Sequence, residues 1–509
     1  MPQQESRVKK SLLNARVNLI FYFLTLALSF FSRKIFLDCL GADFIGLTGT
    51  LYNLLGFLNL AELGIGSAIG YVLYKPIFDH DQQRINEIIS VMGYLYRWIG
   101  LIILSAGCIL ACFLPLIYPN TGFDLPLIYF AYFSFLASSL IGYFINYRQN
   151  LLGADQKSYV VTAYFQTGNI IKTLIQMALA YYTGNYYFWV AIELAFGIIY
   201  SFILNWKINQ TYPWLKADIR QGRLLFKKYP EVMRYTRQLF VQQINGIVQF
   251  QTTPFLTYAF VSLKMVTYYG NYTLIIDKVV SLMSTVLNST SAGVGNLIAE
   301  GDRKRTESVF WELTTIRFWI GGLLFCSFYL QMDSFISLWI GKEYVMSRVL
   351  LVLIISKIYL QIITGYLGTF LYGYGLFADI WASYTQTIIY LLCAIVGGYL
   401  WGLSGIIGAG IVSIFIIVAL WKPYYLYRKG FQLSLSHYWM LFLKLNGING
   451  LSMVLTFYLI RQIGIDYPTN WGMWIAVSVI VFVVYTIISG IPYLSFNKYS
   501  RIVLRRFYR

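Results

Sequence analysis

Fourteen apolar runs of spanning length follow one another along the chain, at 17–37, 47–74, 89–118, 125–147, 159–182, 185–206, 238–261, 272–298, 311–332, 347–372, 379–399, 404–426, 442–463 and 471–493. A bilayer's hydrocarbon core takes about 20 residues of helix to cross. Within it every backbone group must be bonded inside the chain, so the runs are read as helices. They lack the alternation of barrel strands. Of the 509 residues, 58% are hydrophobic and 12% charged, whereas soluble domains carry about 25% charged residues. That balance excludes a soluble globular protein. The expected fold is an all-α polytopic membrane protein of about 14 transmembrane helices.

Lysine and arginine set the orientation. With the N-terminus in the cytoplasm, the inner connections hold roughly 26 of the 39 basic residues and the outer ones about two, Lys264 and Lys342. The connection Lys207–Arg237 holds eight and the tail Lys498–Arg509 five. An even number of spans returns the C-terminus to the same side. The net charge of +18 therefore reads mostly as cytoplasmic loops beside an anionic leaflet. No basic block stands apart from a membrane flank, so nucleic acid is not an expected partner; membrane lipids are. The basic start, with Arg7, Lys9, Lys10 and Arg16, runs into a full-length span, which reads as a retained helix and not a signal peptide. The cysteines Cys39, Cys108, Cys112, Cys326 and Cys393 form no CxxC pair, and His80 and His437 lie in polar connections. Neither a disulfide framework nor a metal site is expected.

The chain repeats itself. Leu58-Asn59, Gly64-Ile65-Gly66 and Ile69 recur as Leu287-Asn288, Gly293-Val294-Gly295 and Ile298. Leu151, Gly153, Tyr164, Gln166 and Thr167 recur as Leu371, Gly373, Tyr384, Gln386 and Thr387. Both matches pair span n with span n+6. Equal parity means parallel repeats related by an axis along the membrane normal, a transporter plan. The expected division is an N-terminal lobe 1–206, a basic cytoplasmic linker 207–237 with an interfacial helix, a C-terminal lobe 238–430, and two further spans with the basic tail, 431–509. Gly64, Gly66, Gly293 and Gly295 suit close helix contact, and Pro254 should kink span 7. These five are the candidate hinge or packing positions.

Charges within spans are costly and usually face a cavity or a partner. Arg33, Lys172, Lys278, Arg317 and Lys357 form a basic set suited to a phosphate or pyrophosphate head; Arg33 and Arg317 can also snorkel to an interface. Glu62, Asp277 and Glu193 are the acidic candidates for coupling to Na⁺ or H⁺, and Glu62 can equally pair with a lysine. The position matching Glu62 in the second repeat is Ser291. Span 7 is polar on one half: Gln242, Asn245, Gln249 and Thr253 are candidate sugar contacts, with interhelical hydrogen bonding the other reading. Asn146, Gln166, Asn169 and Gln386 could join them.

Gly46-Leu47 through Phe57, Leu60-Ala61-Glu62-Leu63-Gly64-Ile65-Gly66-Ser67-Ala68, Leu73-Tyr74-Lys75-Pro76, Tyr269-Gly270-Asn271-Tyr272, Gly295-Asn296-Leu297-Ile298-Ala299-Glu300 and Leu338-Trp339-Ile340-Gly341-Lys342-Glu343-Tyr344 lie in order along most of the chain. In them it resembles the Wzx-like polysaccharide (O-antigen or capsule repeat-unit) flippases of the multidrug/oligosaccharidyl-lipid/polysaccharide exporter superfamily. The resemblance implies two six-helix lobes in a V shape, and movement of an undecaprenyl-pyrophosphate-linked oligosaccharide to the periplasmic leaflet of a bacterial inner membrane. It also implies working partners among polysaccharide polymerases and glycosyltransferases. Relatives often carry an Asp where this chain reads Gln251-Thr252-Thr253, which moves the coupling role to Glu62 or Asp277. A cation-coupled multidrug antiporter is the second expectation. A membrane polymerase or glycosyltransferase is the third, and no P-loop or paired-carboxylate motif favours it. No enzyme activity and no cofactor beyond a coupling ion are expected.

Overall fold

The computed structural model describes residues 7–62, 64–119, 121–155, 157–288, 297–298, 302–374, 376, 380–462 and 468–507. Among them no strand occurs. The protein is an all-α polytopic membrane protein, and among the described residues ten helical runs are long and apolar enough to cross a membrane.

The expected spans outside that set differ for physical reasons. α1 (Arg7–Leu58) turns at Gly41, whose φ of 80° lies in the region open to glycine. Spans 1 and 2 are thus joined through a single residue. Span 2 is then broken: α1 ends at Leu58, a 3₁₀ turn covers Asn59–Glu62, and Gly64 at φ 86° precedes α2 (Ile65–Phe78). Spans 5, 7 and 8 are the helices α5 (Ser158–Thr183), α7 (Pro230–Phe260) and α8 (Leu263–Asn288), with 26, 31 and 26 residues. At about 1.5 Å per residue each reaches ~39 Å or more, enough to cross. Their internal lysines, amides, hydroxyls and acids lower their apolar character. α3 (Gln82–Ala111), α4 (Leu125–Phe144) and α6 (Tyr186–Thr211) complete the first half. α9 (Arg303–Trp339), α10 (Arg348–Ile363), α11 (Gly365–Gly373), α12 (Ile380–Trp401), α13 (Leu403–Ile414), α14 (Leu435–Gln462), α15 (Trp471–Phe496) and α16 (Lys498–Phe507) form the second. The span begun by α13 continues to Phe431 through two π-helical stretches around Pro423, which has no N–H to give the Ala419 carbonyl.

The chain forms two compact units, Met1–Thr267 and Tyr268–Arg509. In the first, Leu47, Leu51, Ile69, Leu73, Ile88 and Met92 are fully buried in a core shared by α1 to α6. α7 packs on α1 and α2. In the second, Phe310, Phe318, Phe370 and Phe431 form the centre, and spans 13 and 14 (α14, α15) pack on α9. Large apolar side chains on the outer faces, such as Phe202 and Leu116, stay exposed as a lipid-facing surface requires. All five cysteines are free.

The repeat recurs as structure. α4 breaks at Ile145 before a short helix, Gln149–Ala154. Span 10 breaks between α10 and α11 at Thr364. The sequence offset of 220 carries position 145 to 365, so the two breaks match.

The connection after α6 is more than a charged link. The Lys216 amide donates to Asn86 Oδ1 at 2.7 Å and the Asp218 amide to Ser90 Oγ at 2.9 Å. Lys228 pairs with Glu87 at 2.6 Å, and the Tyr229 hydroxyl donates to the same carboxylate at 2.6 Å. The segment is thereby fastened to α3. The expected interfacial helix shrinks to Gly222–Phe226, because Pro230 already starts α7.

Candidate functional site

A cavity of about 460 Å³ lies inside the first unit, walled by α4, α5 and α6. Helical spacing builds it. Thr162, Phe165, Gln166, Asn169 and Lys172 recur every three or four residues on α5, and Glu193, Phe196, Gly197 and Tyr200 do so on α6. The break in α4 turns Asn146 and Gln149 into the same space. Gly197 lets α6 approach α4, since a Cβ there would lie 2.5 Å from Ser138 Oγ. At the cavity wall Lys172 Nζ pairs with Glu193 Oε1 at 2.6 Å, with both side chains 16% exposed. Glu193 Oε2 accepts from Gln176 Nε2 at 3.1 Å, and the same amide group donates to the Trp189 carbonyl at 3.0 Å. The Tyr52 hydroxyl lies within hydrogen-bonding reach of that carboxylate. Sequence reasoning named Lys172 and Glu193 for separate roles; the structure joins them. It missed Gln176 and Tyr52. Asn146, Gln166 and Asn169 share the cavity.

A second polar cluster sits where span 2 breaks. The Tyr96 hydroxyl donates to Glu62 Oε1 at 2.5 Å, and Asn150 donates to Tyr96 at 3.4 Å. The Tyr143 hydroxyl donates to Asn59 Oδ1 at 3.0 Å and lies in reach of Glu62. Gly66 leaves room here, because a Cβ would come within 3.1 Å of the Tyr96 hydroxyl. Broken spans of this kind put backbone groups and side chains at a ligand or ion site in transporters. Glu62, Gly64 and Gly66 were expected; Tyr96, Tyr143 and Asn150 were not. The signal for Asn59 was its place in the repeated Leu-Asn frame.

The other expected residues meet separate surroundings. Arg33 donates to the Thr267 carbonyl at 3.3 Å. Arg317 is only 5% exposed and donates to the Ile362 carbonyl at 3.4 Å, its guanidinium 4.1 Å above the Tyr366 ring. It thus closes the break between α10 and α11, at a point where Gly365 has no space for a Cβ. Burial to this degree replaces the snorkelling position open to it from the sequence. Asp277 is exposed on α8, Lys278 half-buried beside it. Asp277 and Lys357 are within electrostatic reach of one another, and the Lys357 stem lies over Gly410. Gln249 and Thr253 are buried; Thr253 Oγ1 bonds back to the Gln249 carbonyl at 2.8 Å. Pro254 lies inside an α7 that stays helical from end to end. The side chains of Gln242 and Asn245, and the whole of Gly293 and Gly295, lie outside the described residues.

No protein-family model and no curated protein sequence matches the chain. Solved structures do. An inward-closed lipid II flippase, MurJ, superposes with a TM-score of 0.64 at 15% identity, covering 93% of this chain and 98% of that one. The chain has the fold of this flippase. An inward-facing multidrug resistance MATE transporter of the MOP superfamily gives 0.55 at 13% identity, covering 80% and 97%. A mutant of a Vibrio cholerae MATE transporter gives 0.50 at 13% identity, covering 84% and 99%. At such identities the likeness is one of fold, which the lipid flippase and the drug exporters share with this chain.

Proposed function

We propose that the protein is an ion-coupled flippase. It carries an undecaprenyl-pyrophosphate-linked oligosaccharide from the cytoplasmic to the periplasmic leaflet of a bacterial inner membrane by alternating access, with both termini in the cytoplasm. The observation that carries this reading is the cavity beside Lys172 and Glu193. Amides, hydroxyls and aromatic faces converge in a space of about 460 Å³ within the membrane unit, inside the ~300–1,000 Å³ of small-molecule sites. Such a lining suits sugar rings, which present hydroxyl edges and apolar faces. The prenyl tail can remain in lipid while the head crosses, and no covalent step is needed. Glu62, at the break in span 2, is the residue proposed to exchange the coupling ion. A glycosyltransferase would supply the substrate and a polymerase would consume the flipped unit.

The test is rescue of a strain lacking its own flippase. Wild type should restore surface polysaccharide, and Lys172→Ala should not; full rescue by the variant refutes the role of this cation. The fold shared with MATE transporters favours drug–cation antiport as a second reading. Unchanged drug sensitivity on overexpression counts against it.

A further inference from the structure

Lys172 and Glu193 are the charged groups among the described residues lining the cavity, and together they are neutral. Their hydrogen bonding is unequal. The carboxylate has a neutral donor besides the lysine, Gln176, and the Tyr52 hydroxyl lies within reach of it. The ammonium is held by Glu193. When Lys172 turns to another anion, Glu193 keeps a hydrogen-bonded place, but the site then holds two negative charges against one positive. An uncompensated charge in low-dielectric surroundings is strongly disfavoured. One proton on Glu193 restores neutrality. The arrangement accommodates it: the Tyr52 hydroxyl, in reach of the carboxylate, can accept a hydrogen bond from the carboxyl proton while the Gln176 amide still donates. Na⁺ fits poorly in that place, because the groups facing Glu193 are N–H and O–H donors and an ammonium, and Na⁺ needs oxygen acceptors.

From this we infer that the cavity binds a sugar bearing a single negative charge, taking up one proton on Glu193 as Lys172 transfers from Glu193 to the sugar's anionic group. A single charge is favoured because a second would again be uncompensated. Amide groups such as Asn169 and Gln166, with Phe165 and Tyr200, suit the ring that carries it. The ligand class is therefore an acidic pyranose such as a uronic acid. This inference rests on the glycan-moving reading and narrows its substrate. Among the described residues, the ionisable groups facing Glu193 are Lys172 on α5 and Tyr52 on α1; Tyr200, on its own helix, lines the same cavity.

The test is calorimetric titration of the full-length protein in lipid nanodiscs with methyl glucuronide, in buffers of different ionisation enthalpy. Wild type should take up one proton per uronide bound, and its affinity should fall about tenfold per pH unit where Glu193 is ionised. Glu193→Gln should bind without proton uptake and without that pH dependence. Lys172→Met should bind at least about tenfold more weakly, and methyl glucoside should bind wild type more weakly with no proton taken up. Glu193→Gln preserves the side chain's shape, so its retained uronide binding also reports folding. Uronide binding without proton uptake, equal binding by Lys172→Met, a Na⁺ requirement, or no uronide binding by wild type overturns the inference. Displacement of the uronide by a sugar diphosphate diester of higher affinity, dependent on Lys172, also overturns it, by assigning the site to the phosphate end. Proton-linked uronide binding in a protein that fails to rescue the flippase-null strain keeps this inference and removes the transport reading.

Discussion

Asn449 on α14 is 1% exposed and joins four helices. Its amide donates to the Phe318 carbonyl of α9 at 2.8 Å and to the Tyr359 hydroxyl of α10 at 3.0 Å. Its carbonyl oxygen accepts from Tyr485 at 3.1 Å and Tyr493 at 2.9 Å, both on α15. Asn449→Leu nearly conserves volume and removes all four bonds. Tyr359 still donates to Asn446 at 3.0 Å, so the stranded groups are the hydroxyls of Tyr485 and Tyr493. Interhelical hydrogen bonds in membrane proteins average ~0.6 kcal/mol, so four amount to about 2.4 kcal/mol. The expected loss is about 2–3 kcal/mol of unfolding free energy, since leaving a buried hydroxyl unpaired costs ~1–3 kcal/mol in itself. Adding Tyr485→Phe and Tyr493→Phe should recover about half, because apolar replacement of both partners is nearly neutral. The assay is reversible denaturation in mixed micelles, followed by tryptophan fluorescence. A loss below about 0.5 kcal/mol for Asn449→Leu, or a further loss in the triple variant, refutes the bookkeeping. Transport at permissive temperature should survive, because Asn449 lines no part of the cavity in the first unit.

Gly64→Ala forces a Cβ onto a residue at φ 86° and should cost about 1–2 kcal/mol; an unchanged melting curve means that the break in span 2 can relax. Lys172→Met leaves Glu193 without its cation. Fully buried pairs lose about 3–5 kcal/mol, and with 16% exposure of each side chain and Gln176 retained, about 2–3 kcal/mol is expected. Lys172→Met with Glu193→Gln should return to within about 1 kcal/mol of wild type, and additive losses in the same denaturation assay would show that the two residues do not interact. Arg317→Met removes the donor at the Ile362 carbonyl and the stack on Tyr366, and should cost about 2–3 kcal/mol. Arg317→Lys should recover less than half of that, because an ammonium reproduces neither the planar fork nor the stack; full recovery would leave charge alone as the cause.

Much of the architecture was legible because lipid allows few solutions. An unbroken apolar run is a helix, and the runs fell where the helices lie. What stayed hidden was the interior of each span. The stop at Asn59–Glu62 follows from a backbone conformation at Gly64 that LNxxxxGxG does not specify by itself, since the same glycines serve helix packing equally well. Lys172 and Glu193 could have been paired in advance. Gly184 and Asn185 join α5 to α6, and the two residues lie 12 and 8 positions from that turn. The difference is about one helical turn, ~6 Å, which a lysine stem spans. Arg317 was counted as a cavity cation because sequence shows a charge in a span but not the carbonyl freed by a break in the neighbouring helix.

The repeat separates scaffold from function at these positions. The offset of 220 that aligns span 5 with span 11 carries Lys172 onto Leu392 and, continued into the next span, Glu193 onto Ser413; the offset of 229 carries Glu62 onto Ser291. In the second unit Leu392 is 61% exposed, as a lipid-facing side chain, and Ser413 is buried and bonds back to the Gly410 carbonyl of its own helix at 3.0 Å. Helices α12 and α13 form and pack there without any ion pair. The same helix pair is therefore buildable from apolar and small residues, and a buried ion pair is at best weakly stabilising relative to such a replacement. Glycine and break positions, by contrast, occur in both repeats. Features common to the two copies account for the fold. The charged groups confined to one copy cost desolvation that the fold does not require, which is the ground for proposing a binding or coupling role for Glu62, Lys172 and Glu193.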